Sequence, residues 1–367
     1  MNNRYLSIDV MRGLTVTLMI IVNTPGDWGT TFAPLLHAQW HGFTPTDLVF
    51  PTFMFVVGNA MSFSLEKYAA KGSAEFFKKV FKRTAVIFLL GFLMYWFPFF
   101  HFENGSMVFN ALSDTRIMGV LQRIALGYCF ASLILFYGKE KGAVWFSVVA
   151  LLGYWMIMYS FGDYSLEGNA GIRLDKFILG ANHIYHGEGI AFDPEGILST
   201  LPAIVNVLAG YLAGKFIQRK GNSFEAIGTL MVYGAFLVFT ALAWDMVFPI
   251  NKKLWTSSFV LYTVGIDLFI LSILIFIVDI RQMKHWTYFF EVFGRNTLFI
   301  YLLSEVGIIL LYVIPAGGVS VARWAFENIF RATAGSYVGS LLFAVSWMLL
   351  CWGVGYILDR KKIYIKV

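Results

Sequence analysis

Residues 37–51 read His-Ala-Gln-Trp-His-Gly-Phe-Thr-Pro-Thr-Asp-Leu-Val-Phe-Pro. His37 precedes Asp47 in a stretch, 24–45, that carries no Lys or Arg and ends at the mouth of an apolar run. An imidazole ordinarily titrates near about 6.5, so at a membrane face it suits proton transfer on that face. Thr44 reads as the N-cap of the helix that follows, with Asp47 at the third helical position, where a capping box carries Glu or Gln. That gives Asp47 a structural task and leaves open a second one, orienting His37. His37 and His41 are spaced to share one face of a helix. A zinc site would need a third ligand, from His183 or His186, and the metalloprotease pattern needs a glutamate where Ala-Gln-Trp stands. No metal is expected.

Ionisable residues inside apolar segments are costly and therefore informative. Arg123, Asp267 and Glu305 are the deepest, with Asp9, Arg12 and Asp47 nearer segment ends. For Asp267 and Arg116 an interhelical ion pair or a backbone hydrogen bond is the competing explanation. The run Ala-Phe-Asp-Pro-Glu-Gly-Ile-Leu at 191–198 puts Asp193 at an expected N-cap and Pro194 at N1. Asp193 and Glu195 could also meet a polyhydroxylated or cationic ligand at that helix mouth. Acidic side chains outnumber basic ones in 161–195, which would attract an amino sugar. The chain carries no P-loop, no dinucleotide fingerprint and no G-x-S-x-G elbow.

These residues need elements to hold them. The chain has 367 residues, 58% hydrophobic and 14% charged, against about 25% charged in soluble domains. An all-α integral membrane protein follows, a polytopic helical bundle treated as one domain over 1–367. A bilayer core about 30 Å thick needs roughly 20 apolar residues per helix. Ten segments qualify: 8–24, 46–66, 79–98, 112–137, 143–160, 196–214, 224–245, 255–279, 294–314 and 337–358. The first could pass for a signal peptide, but Asp9 lies where the n-region would be and no small-x-small site follows, so a retained helix is expected. With the N-terminus inside, 20 Lys and Arg flank the inner helix ends and 6 the outer ones, while Arg116 and Arg123 fall within the fourth segment. That bias predicts both termini in the cytoplasm, with the His37 loop and the 161–195 loop on the opposite face. The net charge of +6 is accounted for by these helix ends and gives no nucleic-acid patch. Cys129 and Cys351 both lie in apolar runs and imply no disulfide framework.

Several blocks together resemble one family. They are Ser7–Val16, Val22-Asn23, the His37–Pro51 block, Arg116–Arg123, Phe192–Leu198, Asn251–Trp255 and Arg360–Ile363. The family is that of heparan-α-glucosaminide N-acetyltransferase, with bacterial NagX-type relatives, and the resemblance runs in order along nearly the whole chain. It implies transfer of an acetyl group from cytoplasmic acetyl-CoA to the amine of a glucosamine-type sugar at the opposite face of a bacterial inner membrane. It implies His37 as the active-site histidine, a base or a transient acetyl acceptor, with Asn23 as donor to the developing oxyanion and Asp47 holding the imidazole tautomer. The phosphates of acetyl-CoA call for basic helix ends on the cytoplasmic side, where Arg12, Arg83 and Arg295 with Asn296 are the expected ligands. Arg123 and Glu305 would line the passage of the pantetheine arm, Glu305 reaching the acceptor side. Trp40, His41, Asp193 and Glu195 are the expected sugar contacts, and a homodimer is the implied assembly. The alternative is a transporter for amino sugars or N-acetylglucosamine that does no chemistry, since many helices, buried charges and an acidic outer loop also suit uptake.

Overall fold

The structure is a computed structural model that describes residues 5–70, 72–103 and 106–365. Arg4, Lys71 and Lys366, counted above among the inner charges, lie outside these. Helix α1 spans Leu6–Asn23, α2 Pro45–Ala69 and α3 Ser73–Trp96. A hairpin of β1 (Phe100–Glu103) and β2 (Ser106–Phe109) pairs Phe100 with Phe109 and His101 with Val108. Helix α4 spans Val120–Phe161, α5 Ala170–Leu179, α6 Ile197–Lys220 and α7 Phe224–Asp245. Helix α8 spans Ser257–Leu274 and runs on as a π-helix over Ile275–Ile280. Helices α9 (Thr287–Arg295) and α10 (Thr297–Val313) meet at 84°. A two-residue hairpin, β3 (Pro315–Ala316) and β4 (Val319–Ser320), precedes α11 (Val321–Ala325) and α12 (Ala332–Ala334), and α13 spans Ser336–Arg360.

Among the described residues, seven helices are long and apolar enough to cross a membrane, or eight if the bent α9–α10 pair is one span. The all-α polytopic architecture stands. Each of the ten expected segments overlaps a helix. Two of them share α4, whose 42 residues would reach about 63 Å if straight, twice a bilayer core. Lys139 breaks it with a non-helical φ of 51°.

Three boundaries differ from expectation, each for a tertiary reason. The fourth segment begins at Val120 instead of 112. Arg116 is therefore outside the helix, drawn to carboxylates near α6, and Arg123 sits in the first turn of α4 instead of deep within a span. The ninth begins after a break at Asn296. Asp193 and Pro194 do not start α6, which begins at Ile197 after Gly196. Its first N–H, that of Ile197, is taken by Asp175 of α5 at 2.8 Å.

The chain divides into two compact units. The first comprises Met1–His37, Thr44–Phe50 and Ile277–Lys366. In it Gly13 of α1 lies against the backbone of Phe290 in α9, where a Cβ would overlap the carbonyl. Ile308, Ala322, Phe326 and Phe343 form an apolar cluster. The second comprises Ala38–Phe43 and Pro51–Phe276. Here α2 and α6 cross at backbone contact. A Cβ on Gly58 would overlap the Val207 carbonyl, and one on Gly210 the Phe55 carbonyl. Small residues permit such approach where water supplies no hydrophobic drive between helices. Pro51 and Pro202 lie inside these same two helices.

Candidate active site

In the first unit the 24–37 loop is fastened at both ends. Its start is held by Ser340 of α13, which receives the Gly26 N–H on its carbonyl at 3.3 Å and the Asp27 N–H on its hydroxyl at 3.1 Å. Its end is held by the first residues at α2, with the Thr46 hydroxyl donating to the Pro34 carbonyl at 3.0 Å and the Thr44 hydroxyl to the Leu36 carbonyl at 2.7 Å. Leu36 is the neighbour of His37, so the histidine is presented from a pinned backbone.

His37 Nδ1 lies 2.7 Å from Asp47 Oδ1. Asp47 Oδ2 accepts from the Thr44 N–H at 2.9 Å and lies 3.1 Å from the Thr44 hydroxyl, whose one hydrogen has the Leu36 carbonyl as its nearer acceptor. The carboxylate side chain is 1% exposed and the imidazole 38%. Half of the expected capping box is present, the half in which the third helical residue reaches back to the cap N–H. The other half is replaced, since the Asp47 N–H bonds the Thr44 carbonyl at 3.0 Å. One carboxylate thus caps the helix with one oxygen and bonds His37 with the other. A carboxylate accepts, so Nδ1 carries the proton and Nε2 has the lone pair, the tautomer a general base requires.

Asn23, the last residue of α1, donates its amide to Glu305 Oε1 of α10 at 3.0 Å. Two residues assigned separate tasks from sequence therefore form one pair. The second amide hydrogen of Asn23 has no other protein partner among the described residues. In the same unit Arg295 is clasped by Asp359, at 2.6 and 2.8 Å, and by Glu291 at 2.8 Å. The Asn296 amide donates to the Ile363 carbonyl at 3.0 Å and accepts from the Ile365 N–H at 2.8 Å. Both are engaged in holding the chain end against the α9–α10 bend. Arg12 lies 3.5 Å from Asp9 and 3.4 Å from the Gly294 carbonyl.

The second unit holds the remaining expected residues. Trp40 donates to the Tyr164 carbonyl at 2.8 Å and packs edge-on against Phe192, as part of an apolar cluster with Tyr154, Met158 and Phe248. His41 Nδ1 lies 3.3 Å from the Asn251 amide nitrogen. Burial holds His41 below the usual imidazole range, partly offset by Asp245. Lys253 ties the Gln39 carbonyl (2.9 Å) to Glu188 (2.7 Å).

Asp193 and Glu195 both pair with Arg116. The guanidinium meets Asp193 through two bonds, 2.9 and 2.6 Å, and Glu195 at 2.6 Å. Its faces are covered by Tyr95 and Tyr185, 4.8 and 4.7 Å from the ring centroids. Burial alone would lower the Arg116 pKa, but Tyr95 and the two carboxylates raise it above the ordinary arginine value. Burial alone would raise Glu195, and Arg116 brings it below the ordinary carboxylate range. The pair expected at the sugar is thus an ion cluster that clamps Arg116. For Arg116 an ion pair, one of the two explanations open from the chain, is what the structure shows, and the matching charges of 116 and 193–195 are the signal for it. Arg123 is also buried, bonding the Gly196 carbonyl at 3.1 Å and the Ser199 hydroxyl, with its guanidinium 4.8 Å from the Trp255 ring centroid. Arg83 of α3 lies over Tyr128 at 4.7 Å, and its buried Nε has no hydrogen-bond partner.

A family model described as heparan-alpha-glucosaminide N-acetyltransferase, catalytic, matches residues 4–244. The human heparan-alpha-glucosaminide N-acetyltransferase is 26% identical over 433 aligned residues, covering 99% of this chain and 60% of the relative. The mouse enzyme of the same name is 26% identical over 425 residues, covering 100% and 61%. The chain spans about three fifths of the length of these curated relatives. The matched segment contains Asn23 and the His37–Thr44–Asp47 network, and it extends over well more than half of the sequence: the chain belongs to the heparan-alpha-glucosaminide N-acetyltransferase family.

Proposed function

We propose that this protein is a transmembrane N-acetyltransferase that uses acetyl-CoA and acts on the amine of a glucosamine-type sugar. The observation that carries the reading is the 2.7 Å bond between His37 Nδ1 and Asp47 within the family-matched region. A sugar ammonium cannot attack a thioester, so its proton must leave first. His37 Nε2 takes it, and Asp47 stabilises the imidazolium that forms. The amine nitrogen then bonds to the acetyl carbon, the carbon–sulfur bond breaks, and the departing thiolate takes up the second proton that the nitrogen releases as the amide forms. The second N–H of Asn23 meets the oxyanion as it develops, with Glu305 fixing the amide. In a two-step route the acetyl group rests first on Nε2, and labelled acetyl-CoA without acceptor separates the routes by a stable acetyl-histidine.

The donor's phosphates need uncompensated positive charge. Arg295 and Asn296 have their groups occupied, whereas Arg83 has an unpartnered Nε and shares the first half of α3 with Lys78, Lys79 and Lys82. The basic end of α3 is therefore the better phosphate site, and Arg295 and Asn296 support the fold of their own unit. The charge bias assigns that end to the cytoplasm and the His37 loop to the opposite face of a bacterial inner membrane, in an assembly we take to be a homodimer.

The test is His37→Ala in purified protein, assayed for acetyl transfer to glucosamine. Loss of a general base costs about 10²–10⁴-fold. Activity above about a tenth of wild type removes His37 from the role. Accumulation of unmodified sugar in vesicles, with no acetylated product, would replace the enzyme by a transporter.

A further inference from the structure

A cavity of about 500 Å³ opens beside Arg116 in the second unit, within the range of small-molecule sites, about 300–1,000 Å³. It lies where the end of α3, the β1–β2 hairpin, residues 110–116 and residues 184–186 come together. Nothing in the proposed reaction accounts for it.

Three aromatic rings form part of the wall: Tyr95, Trp96 and Tyr185. Trp96 is fixed by its indole N–H, which donates to the Asn110 carbonyl at 2.9 Å. Tyr95 and Tyr185 are fixed by the Arg116 guanidinium between them. Rigid ring faces suit the C–H faces of a pyranose. Apart from Ala111 and Ile184, the rest of the wall is polar. His101 Nδ1 lies 2.8 Å from Asn110 Oδ1, which leaves the Asn110 amide hydrogens to point elsewhere. Asp114 and His186 are exposed and line the same space. Donors and acceptors around fixed aromatic faces match hydroxyl groups around a sugar ring. An acyl chain would leave them unpaired, at a cost of about 1–3 kcal/mol for each group that becomes buried.

Charge narrows the ligand further. The charge of Arg116 is met by Asp193 and Glu195 behind it, so Asp114 is the carboxylate this wall presents to the cavity. An anion is disfavoured, and a neutral or cationic ligand is favoured. An ammonium group also gains from tyrosine and tryptophan faces.

We propose that this cavity is a saccharide subsite that takes one neutral or cationic pyranose unit of the acceptor, of glucosamine type. The proposal deepens the acceptor half of the proposed function and rests on it for the substrate class, but its test needs no turnover. The purified full-length chain is titrated with glucosamine, its β-1,4-linked disaccharide and glucosamine 6-phosphate, read by tryptophan fluorescence and by calorimetry. Wild type and His37→Ala should bind glucosamine alike. Asp114→Asn and His186→Ala lie at exposed positions and leave the Arg116 clamp intact. Each should weaken binding by about tenfold, as expected for one lost polar contact to a charged or hydroxylated ligand. Glucosamine 6-phosphate should bind more weakly than glucosamine.

Wild-type affinity in both variants, with thermal midpoints confirming that they are folded, overturns the subsite, as does equal or tighter binding of the phosphorylated sugar. Unchanged sugar affinity in both variants, in a chain whose wild type acetylates glucosamine, sinks the subsite and leaves the reaction standing. Sugar binding that the two variants weaken, in a wild-type chain that acetylates no amine, supports the subsite and sinks the reaction.

Discussion

Asp47→Asn is the substitution that separates the two tasks of this carboxylate. In the wild type each oxygen faces donors, Oδ1 toward His37 Nδ1 at 2.7 Å and Oδ2 toward the Thr44 N–H and hydroxyl at 2.9 and 3.1 Å. An asparagine has one acceptor and one donor end. With its oxygen toward Thr44, its NH₂ meets Nδ1, the ring proton moves to Nε2, and the base is lost. With its oxygen toward His37, its NH₂ opposes the Thr44 N–H and the cap breaks. A hydrogen bond to a charged group contributes about 1.5–3 kcal/mol, which alone is about 10–150-fold in the competent tautomer. Loss of the counter-charge to the imidazolium brings the expected fall in kcat to about 10²–10⁴-fold. The cap contributes about 0.5–2 kcal/mol, so stability should fall only modestly. The assay is initial acetyl-transfer rates from pH 5 to 9 in detergent or proteoliposomes. The KM for acetyl-CoA should change little. The acid limb of the rate profile should move to lower pH, because the protonated imidazole has lost its partner. Thr44→Val is the control: it keeps the backbone bond to Oδ2, removes the hydroxyl bridge to Leu36, and should cost less than about tenfold. Retention of more than a third of kcat in Asp47→Asn, with an unshifted profile, refutes the orienting role.

Other outcomes follow from the same geometry. Asn23→Ala should lower kcat by about 10²–10³-fold, while Glu305→Gln, which can still accept from Asn23, should cost far less; equal losses would argue against an oxyanion donor. Arg116→Gln leaves Asp193 and Glu195 buried without their cation and should destabilise the protein by about 3–5 kcal/mol, read as a lowered unfolding midpoint in detergent. Burial pushes the Asp175 carboxyl up to about 7, with Asp193 adding to the rise. Because the unfolded carboxyl titrates near about 3.9, the folded state binds the proton more tightly. Its contribution is full below about pH 4 and is lost as pH rises toward 7. Asp175→Asn keeps an oxygen for the Ile197 N–H, so it should be the more stable form at pH 7 and above, with the advantage vanishing near pH 4. Gly58→Ala or Gly210→Ala should abolish folded protein on size-exclusion analysis, because each Cβ meets a carbonyl instead of a movable side chain.

What could be read from the chain alone is what depends on composition and on neighbours along it. The apolar segments, the helical class and the candidate His37–Asp47 pair follow from residue type and spacing, since a bilayer demands about 20 apolar residues wherever they occur. The cap at Thr44 was legible for the same reason, being local. What the sequence left open depends on groups distant along the chain. Arg116 lies in a polar stretch that continues smoothly into an apolar one, and nothing local ends the helix there. Its exclusion from α4 comes from Asp193 and Glu195, which share no local pattern with it. Asp193 reads as an N-cap until the tertiary structure supplies Asp175 for that task and Arg116 for Asp193. Along the chain a basic helix end looks the same whether its charge is free or, as at Arg295, held by Asp359 and Glu291. Periodicity and propensity act over one or two turns, whereas charge compensation and close helix crossings act across space. The tertiary structure therefore decided which polar groups are already satisfied and which remain available to a ligand.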